Sequence, residues 1–379
     1  MNEQITGLRG GKGTLAERAQ ALATEFDTRA AAHDAEDSFV TENYARLQAE
    51  GLIAAGVPVE LGGGGAEVRA LGEMLRLLGQ GCGSTALALA MHTHQVATAA
   101  WRWRHQPAAR AAVEPVLKRV AGGAVLVTSG GSDWIGSSGR AEKTEGGYRI
   151  TARKAFASGS PVGTLFVSSA ICGDKIIHFA VPFETAEVQR QDTWRTLGMR
   201  GTGSGDIMLE GLFIPDDKVA LTRPAGVWHP VWQIIATTAM PLIYAVYLGI
   251  AEASRDIAVA AVAKRAVGQR NRRLIGEMDS ALWRARVAHE AMIAVVERNA
   301  PSEVSINDVM FGRRAVEAAV IETVDLAMEA VGGAGFYRAT GLERRFRDAQ
   351  AARYHPMRRE VQQDYAGAMA LGEPVATIY

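Results

Sequence analysis

"AGGAVLVTSGG", residues 121–131, is the stretch on which the fold turns. Two glycines close a long helical region, and a short apolar run ending in Thr128 and Ser129 opens a different one. From about residue 122 to 220 the runs are short and β-rich: "GYRITARKAFAS", "TLFVSSAI", "KIIHFAVPF" and "DIMLEGLFIP". Gly, Ser, Asp and Pro punctuate them at a spacing that suits an antiparallel barrel or sandwich. No ten-residue helical pattern alternates with these strands, so a parallel dinucleotide-binding sheet is not expected.

On either side the period is helical. Upstream, "TLAERAQALATEFDTRAAAHDAED" carries Ala, Leu and Glu at helical spacing, with Thr14 as a candidate cap. "EVRALGEMLRLLGQGC" and "STALALAMHTHQVATAAWRWR" repeat the pattern around the Gly-rich loop "GVPVELGGGGAE". Downstream, "HPVWQIIATTAMPLIYAVYLGIAEASRD" (229–256) runs from Pro230 to Ile250 without a charge, long enough to cross a bilayer. Gln233, two threonines and Pro241 interrupt it, and the helical pattern continues beyond, so a helix buried on all sides of a bundle is expected. The expected class is α+β in three parts: residues 1–120 all helical, 121–222 a β-domain, 223–379 a four-helix-type bundle.

Composition narrows the function. The 379 residues are 48% hydrophobic, ample for a large core. Lys plus Arg and Asp plus Glu each total 41, so no basic excess points to nucleic acid. Cys82 and Cys172 make no disulfide framework and no C-x-x-C pair. With no apolar segment in "MNEQITGLRGGKGTLAERA", the expectation is a reduced, cytoplasmic chain that binds neither membrane nor nucleic acid.

Four stretches carry a resemblance: "VLVTSGGSDW" (125–134), "GGYRITARKAFASGSPVGTLFV" (146–167), "TLGMRGTGSGDIMLEGLFIPDDKV" (196–219) and "AMEAVGGAGFYRATGLERRFRDA" (327–349). In this order they resemble the acyl-CoA dehydrogenase superfamily. The resemblance implies a homotetramer or homodimer with a flavin, FAD or alternatively FMN, at the junction of the domains. The residues it places there are Val127, Thr128, Ser129 and Ser132, then Phe156 and Ser158 against the ring. Singly, each better suits an ordinary strand, core or turn position; the matching order of the set is what favours the flavin. Glu329, Gly332 and Gly333 match the late motif that meets a partner subunit's flavin. "VAKRAVGQRNRR" (262–273) matches the family's Arg-x-x-Phe-Gly segment, with Lys264 and Val267 in place of Arg and Phe. Arg270 and its neighbours suit a pyrophosphate or a solvated basic face alike. The loop after Thr128 is shorter than the usual family form.

The sharpest departure lies in "RDAQAARYHPMRREVQ" (347–362). A dehydrogenase of this type removes a weakly acidic α-proton, which requires a placed carboxylate. In most of the family that Glu lies nine residues after the Arg of Arg-Asp-Ala; from Arg347 the count reaches Pro356. The other family position, on an earlier helix, falls at Ala239. His355 is the candidate base or donor, while Glu360 reads as surface or capping. In "MHTHQ", His92 and His94 point to different helix faces, so no metal is expected, and one of them is expected to face the cavity. "WRWRH" reads as packing. Two activities follow from the resemblance: oxidation of an acyl thioester at Cα–Cβ with His355 as a non-standard base, or a monooxygenase using reduced flavin and O2. A non-catalytic flavin-binding protein is the third reading. The partners implied are acyl-CoA or another small molecule, and an electron-transfer flavoprotein or a flavin reductase.

Overall fold

The computed structural model describes residues 13–133, 136–265 and 267–378. Five helices come first: α1 (Leu15–Glu36), α2 (Thr41–Ala49), α3 (Val68–Gly81), α4 (Gly83–His105) and α5 (Arg110–Ala121). Thr14 caps α1 in a reciprocal box: its hydroxyl accepts from Glu17 N at 3.2 Å, and its own N–H donates to Glu17 Oε2 at 2.8 Å.

The strands are β1 (Leu126–Thr128), β2 (Arg140–Thr144), β3 (Gly147–Lys154), β4 (Leu165–Cys172), β5 (Lys175–Pro182), β6 (Val188–Arg190), β7 (Ile207–Pro215) and β8 (Leu221–Pro224). They form one sheet in the order β6-β7-β3-β2-β4-β5-β8, with β1 beside β4. Most pairings are antiparallel, as the short punctuated runs suggest. The exceptions involve β4: β1 pairs with it in parallel, Val127 opposite Phe166, and β2 touches it in parallel at Arg140 and Ile171. The β2–β3 hairpin supplies the crossover that a parallel β1–β4 pair requires. Val127, Ile150, Phe166, Phe179, Ile207 and Leu209 form the β-core. Ile150, Ala152 and Lys154 alternate inward along β3, so the strand's parity buries a lysine.

The chain then returns to helix: α6 (Pro230–Ala263), α7 (Gln269–Glu297), α8 (Glu303–Val331), α9 (Leu342–Ala349) and α10 (Arg359–Leu371). Among the described residues α6 is the one helix long and apolar enough to cross a membrane, and 94% of its most apolar window lies inside the protein. It packs against α3, α4, α7 and α8 as a central strut.

Glycines permit the closest of these crossings. A Cβ on Gly249 of α6 would stand 2.0 Å from the Arg76 carbonyl of α3, and one on Gly79 would stand 2.6 Å from the Val246 carbonyl. Backbone thus meets backbone from both sides. Gly249→Ala must push the helices apart and is expected to lower stability by about 1–3 kcal/mol, the scale of overpacking. Thermal or denaturant unfolding checks this; an unchanged midpoint would show that the two helices are not held in this contact.

Candidate active site

The break after α9 is built around a neutral imidazole. His355 follows the 3-10 turn Gln350–Tyr354 in extended backbone, as the residue before a proline prefers. Its ring packs against Tyr244 and Tyr247 of α6, with centroids 6.1 Å and 5.5 Å away. Tyr247 Oη lies 2.5 Å from His355 Nε2. Arg313 of α8, wholly buried, donates from Nη2 to the His355 carbonyl at 2.7 Å and pairs with Glu317 at 2.7 Å. Tyr244 Oη donates to the Ala352 carbonyl at 2.6 Å. Burial first, then the Arg313 guanidinium and His94, push the His355 imidazole down to about 3. It is therefore neutral at any ordinary pH.

α4 supplies the facing wall, and its two histidines part company. His92 accepts the Leu126 N–H at Nδ1 (2.9 Å), so its Nε2–H donates to the Ile53 carbonyl (2.9 Å), and the residue ties α4 to β1. His94 is buried near His355, and its Nδ1 has no hydrogen-bond partner among the described residues. Burial pushes both down to about 4.

The β-domain contributes the opposite side. Asp133 organises the loop after β1. Its carboxylate accepts from the Ser129 hydroxyl, from Ser138 N and Oγ at 2.7 Å each, and from Lys154 Nζ at 2.8 Å. Lys154 also donates to Ser137 Oγ at 3.3 Å and to the Ser138 carbonyl. Burial depresses the ammonium of Lys154, and Asp133 opposes that shift. Gly130 and Gly131 are small for a reason: a Cβ on Gly130 would stand 3.0 Å from Phe156 Cβ, and one on Gly131 would stand 2.6 Å from Pro356 Cγ. The loop and the His-Pro break are thus in direct apposition.

Phe156 sits in the left-handed region at φ 59°, the residue 58% exposed and its ring edge-on to Trp194 at 5.9 Å. Beside it Ser158 Oγ bonds Ser204 Oγ at 2.7 Å, and Ser204 Oγ bonds Thr202 Oγ1 at 2.7 Å. An uncovered aromatic face next to a hydroxyl, with a half-buried Thr128 at the end of β1, fits an isoalloxazine ring laid against this wall.

The other expected residues each have surroundings of their own. The Val127 side chain is in the β-core, so only its backbone is available to a ligand. Ser129 spends its hydroxyl on Asp133. The side chain of Ser132 lies outside the described residues. Arg270 and Glu329 pair with each other at 2.9 Å on the exposed surface, more than half open to solvent each. Gly332 and Gly333 lie at an exposed turn with open space around them. Glu360 is exposed beside Arg358. His355 is unsuited to the role of base: its lone-pair nitrogen is engaged by Tyr247 and its burial opposes protonation. Sequence reasoning missed Lys154, Tyr247 and Arg313. Only Lys154 left a signal, its inward parity with Ile150 and Ala152.

Comparisons with known proteins bear on the fold as a whole. Residues 14–108 match the family described as acyl-CoA dehydrogenase, N-terminal domain. The amino sugar nitrososynthase DnmZ of Streptomyces peucetius is 27% identical over 361 residues, spanning 90% of this chain and 88% of that one. The putative acyl-CoA dehydrogenase YdbM of Bacillus subtilis is 27% identical over 359 residues, spanning 88% of this chain and 91% of that one. The X-ray structure of KijD3 in complex with FMN and dTDP-3-amino-2,3,6-trideoxy-4-keto-3-methyl-D-glucose is 29% identical, with a TM-score of 0.85. The match covers 98% of this chain and 97% of that one.

Two measurements probe the site's frame. Lys154→Met leaves the Asp133 carboxylate buried without its cation and is expected to cost about 3–5 kcal/mol in unfolding, whereas Lys154→Met with Asp133→Asn costs less. Equal losses would mean that the pair is not coupled. His92, His94 and His355 are held neutral, with folded values of about 4, 4 and 3. Their unfolded value is about 6.5. Their contribution is full above about pH 6.5 and is lost as the pH falls toward the folded values, because the unfolded chain binds the protons first. The expected slope is about 1.4 kcal/mol per pH unit for each histidine, read from unfolding midpoints between pH 7 and 4.5.

Proposed function

Since the chain belongs to the acyl-CoA dehydrogenase superfamily and is a flavin enzyme, we propose that it is a flavin-dependent monooxygenase that oxygenates a small polar substrate. The observation that carries this reading is the neutral, tyrosine-bound His355 beside the position where a carboxylate would stand. Pro356 and Ala239 hold the two positions from which a base would act, and neither has an acid–base group. Glu360 and Glu329 are surface residues with their own arginine partners. An α-proton of a thioester is too weakly acidic to leave without a matched acceptor.

Oxygen transfer makes a different demand. A reduced flavin held against Phe156, Ser158 and Thr128 would supply two electrons, so that with two protons one atom of O2 enters the substrate and the other leaves as water. The protein must then exclude water and present neutral donors to developing negative charge. The imidazole of His355 is such a donor, whereas the Ser158 hydroxyl gives its proton to Ser204, since Thr202 donates to the Met199 carbonyl and Ser204 to Thr202, and offers a ligand its lone pairs. Phe156 offers the apolar cover, and Asp133 with Lys154 holds the loop that frames it.

The favoured substrate class is a compact molecule with an oxidisable amine. The amino sugar nitrososynthase relative and the FMN and amino-sugar nucleotide complex of KijD3 support that choice. Reduced flavin would come from a separate reductase. Exposed Trp283, Phe311, Phe336 and Tyr337 on the C-terminal helices and turn support a homo-oligomer. The free thiols Cys82 and Cys172 suit the cytoplasm. Oxidation of an acyl thioester is the second reading, favoured by the likeness to YdbM.

One experiment separates them. The flavin-loaded protein is first mixed anaerobically with a panel of acyl-CoAs. It is then photoreduced and exposed to O2 with a panel of amines that includes a dTDP-amino sugar. The expected result is no bleaching by any acyl-CoA and, with O2, an amine that gains one oxygen atom by mass spectrometry. His355→Ala is expected to cut that product about a hundredfold, the scale of losing one donor at a charge-developing centre. Bleaching by an acyl-CoA would overturn the oxygenase reading.

A further inference from the structure

The Tyr247–His355 contact has a direction that distances alone do not give. The Tyr247 side chain is fully buried and packed in the helical core. Its hydroxyl carries one proton, and a buried O–H without an acceptor is costly. Among the described residues the one partner of that hydroxyl is His355 Nε2, at 2.5 Å. The neighbouring phenol has a different partner: Tyr244 Oη bonds the Ala352 carbonyl, the two rings are tilted by 52°, and no hydrogen bond joins the two hydroxyls among the described residues. Burial raises Tyr247 well above its ordinary value, so the phenol keeps its proton. Both members of the pair are therefore neutral, and the proton between them belongs to oxygen.

We propose that Tyr247 is a positioning residue that locks His355 as the Nδ1–H tautomer, with Tyr247 Oη donating to Nε2. The ring is fixed in three ways. Tyr247 holds its Nε2 edge, Arg313 holds its carbonyl at 2.7 Å, and Pro356 after it abuts Gly131. Only the Nδ1 edge remains available, and no described residue hydrogen-bonds to it. In this tautomer that edge is a donor. The other groups that act on the ring, Arg313 and His94, oppose a second proton and so keep the imidazole a single donor. The inference rests on the reading of His355 as a donor to the oxygenation centre, and it adds what makes a neutral histidine a donor there rather than an acceptor. A helix position three residues from Tyr244, inside an all-apolar run, thus sets the hydrogen-bonding sense of a residue more than a hundred positions later.

The test is the tautomer itself. The full-length protein is labelled with 15N-histidine, and ring nitrogens are correlated with ring protons. His355 is assigned by loss of its signals in His355→Asn. The expected wild-type pattern is a protonated Nδ1 and a bare Nε2. In Tyr247→Phe the pattern should invert or average between tautomers. A wild-type Nε2–H, or an unaltered pattern in Tyr247→Phe, would overturn the proposal. Tyr247→Phe is further expected to retain flavin with unchanged affinity. Its coupled kcat should fall about tenfold, the scale of one hydrogen bond, with KM unmoved and the missing electrons released as hydrogen peroxide. Coupling equal to wild type would show that the contact is packing alone. If Tyr247→Phe does not fold, the wild-type tautomer decides the matter. The two readings fail separately: bleaching by acyl-CoA removes the oxygenase and leaves the tautomer assignment intact, whereas a wild-type Nε2–H does the reverse.

Discussion

A buried carboxylate holds the two halves of the site in register. Asp348 ends α9 inside the protein, where burial raises its carboxyl above the usual range and Arg344 draws it back. It accepts the Met199 N–H of the loop before β7. Next to it, Arg347 reaches back to Asp34 of α1 at 2.9 Å and donates to the Leu197 carbonyl at 3.0 Å. Gly198 makes this approach possible, since a Cβ there would stand 2.3 Å from the Arg347 carbonyl. Three regions distant in sequence thus meet at one pair of residues. From there a polar chain runs through Met199, Thr202 and Ser204 to Ser158 on one side. On the other side the turn after α9 carries His355. Burial disfavours the charge on Asp348, and the Met199 N–H and the nearby Arg344 oppose that. The contacts of Arg347 and Asp348 thus tie the segment that leads to Ser158 to the helix that leads to His355.

What could be read from the chain follows from periodicity and from size. The switch to strands at residue 121 is a change of period, and the interior position of α6 follows from an uncharged run too broken to face lipid. The gap at Pro356 and Ala239 is a matter of counting. Phe156 and Ser158 fall two apart at a strand end, where a ligand can use both. The rest had no local signature. A helix buried all round has no polar face, so Tyr244 and Tyr247 vanish into the apolar run that contains them. Arg313 looks like any arginine of a charged helix until α8 packs and closes it in. The parallel β1–β4 pairing is set by a crossover, which strand patterning does not encode. Arg270 and Glu329 are the opposite case. As opposite charges on neighbouring helices they pair at the surface of the single chain, and the pattern of residues does not distinguish that from a face that meets a partner's ligand.

The histidines show how one residue type divides its labour by surroundings. His92 spends both ring nitrogens on backbone groups of α4's neighbours and is a strut. His94, two residues on and therefore on another face, keeps a nitrogen free. His355 keeps one edge free and has the other fixed by a phenol. All three are neutral, since no carboxylate faces them to favour the charged form. A setting of neutral imidazoles and phenols around residue 355 differs in kind from one that holds an ionised base.

That difference bears on how one scaffold can serve two chemistries. In a dry slot, charges act at long range and little solvent screens them. A carboxylate at the break suits proton removal, because it is an anion waiting to be neutralised. The same anion would oppose negative charge building on oxygen beside it. A neutral N–H donor stabilises such charge and has nothing to offer an α-proton. Exchanging one group for the other therefore changes which sign of developing charge the slot favours, while the walls remain. Pro356 against Gly131 and the Arg313 hydrogen bond to the His355 carbonyl hold the break in place, with His355 beside the position of a base. On the oxygenase reading, the departure at residues 355 and 356 is a change in the polarity of the site, made at a point where the fold already demands order.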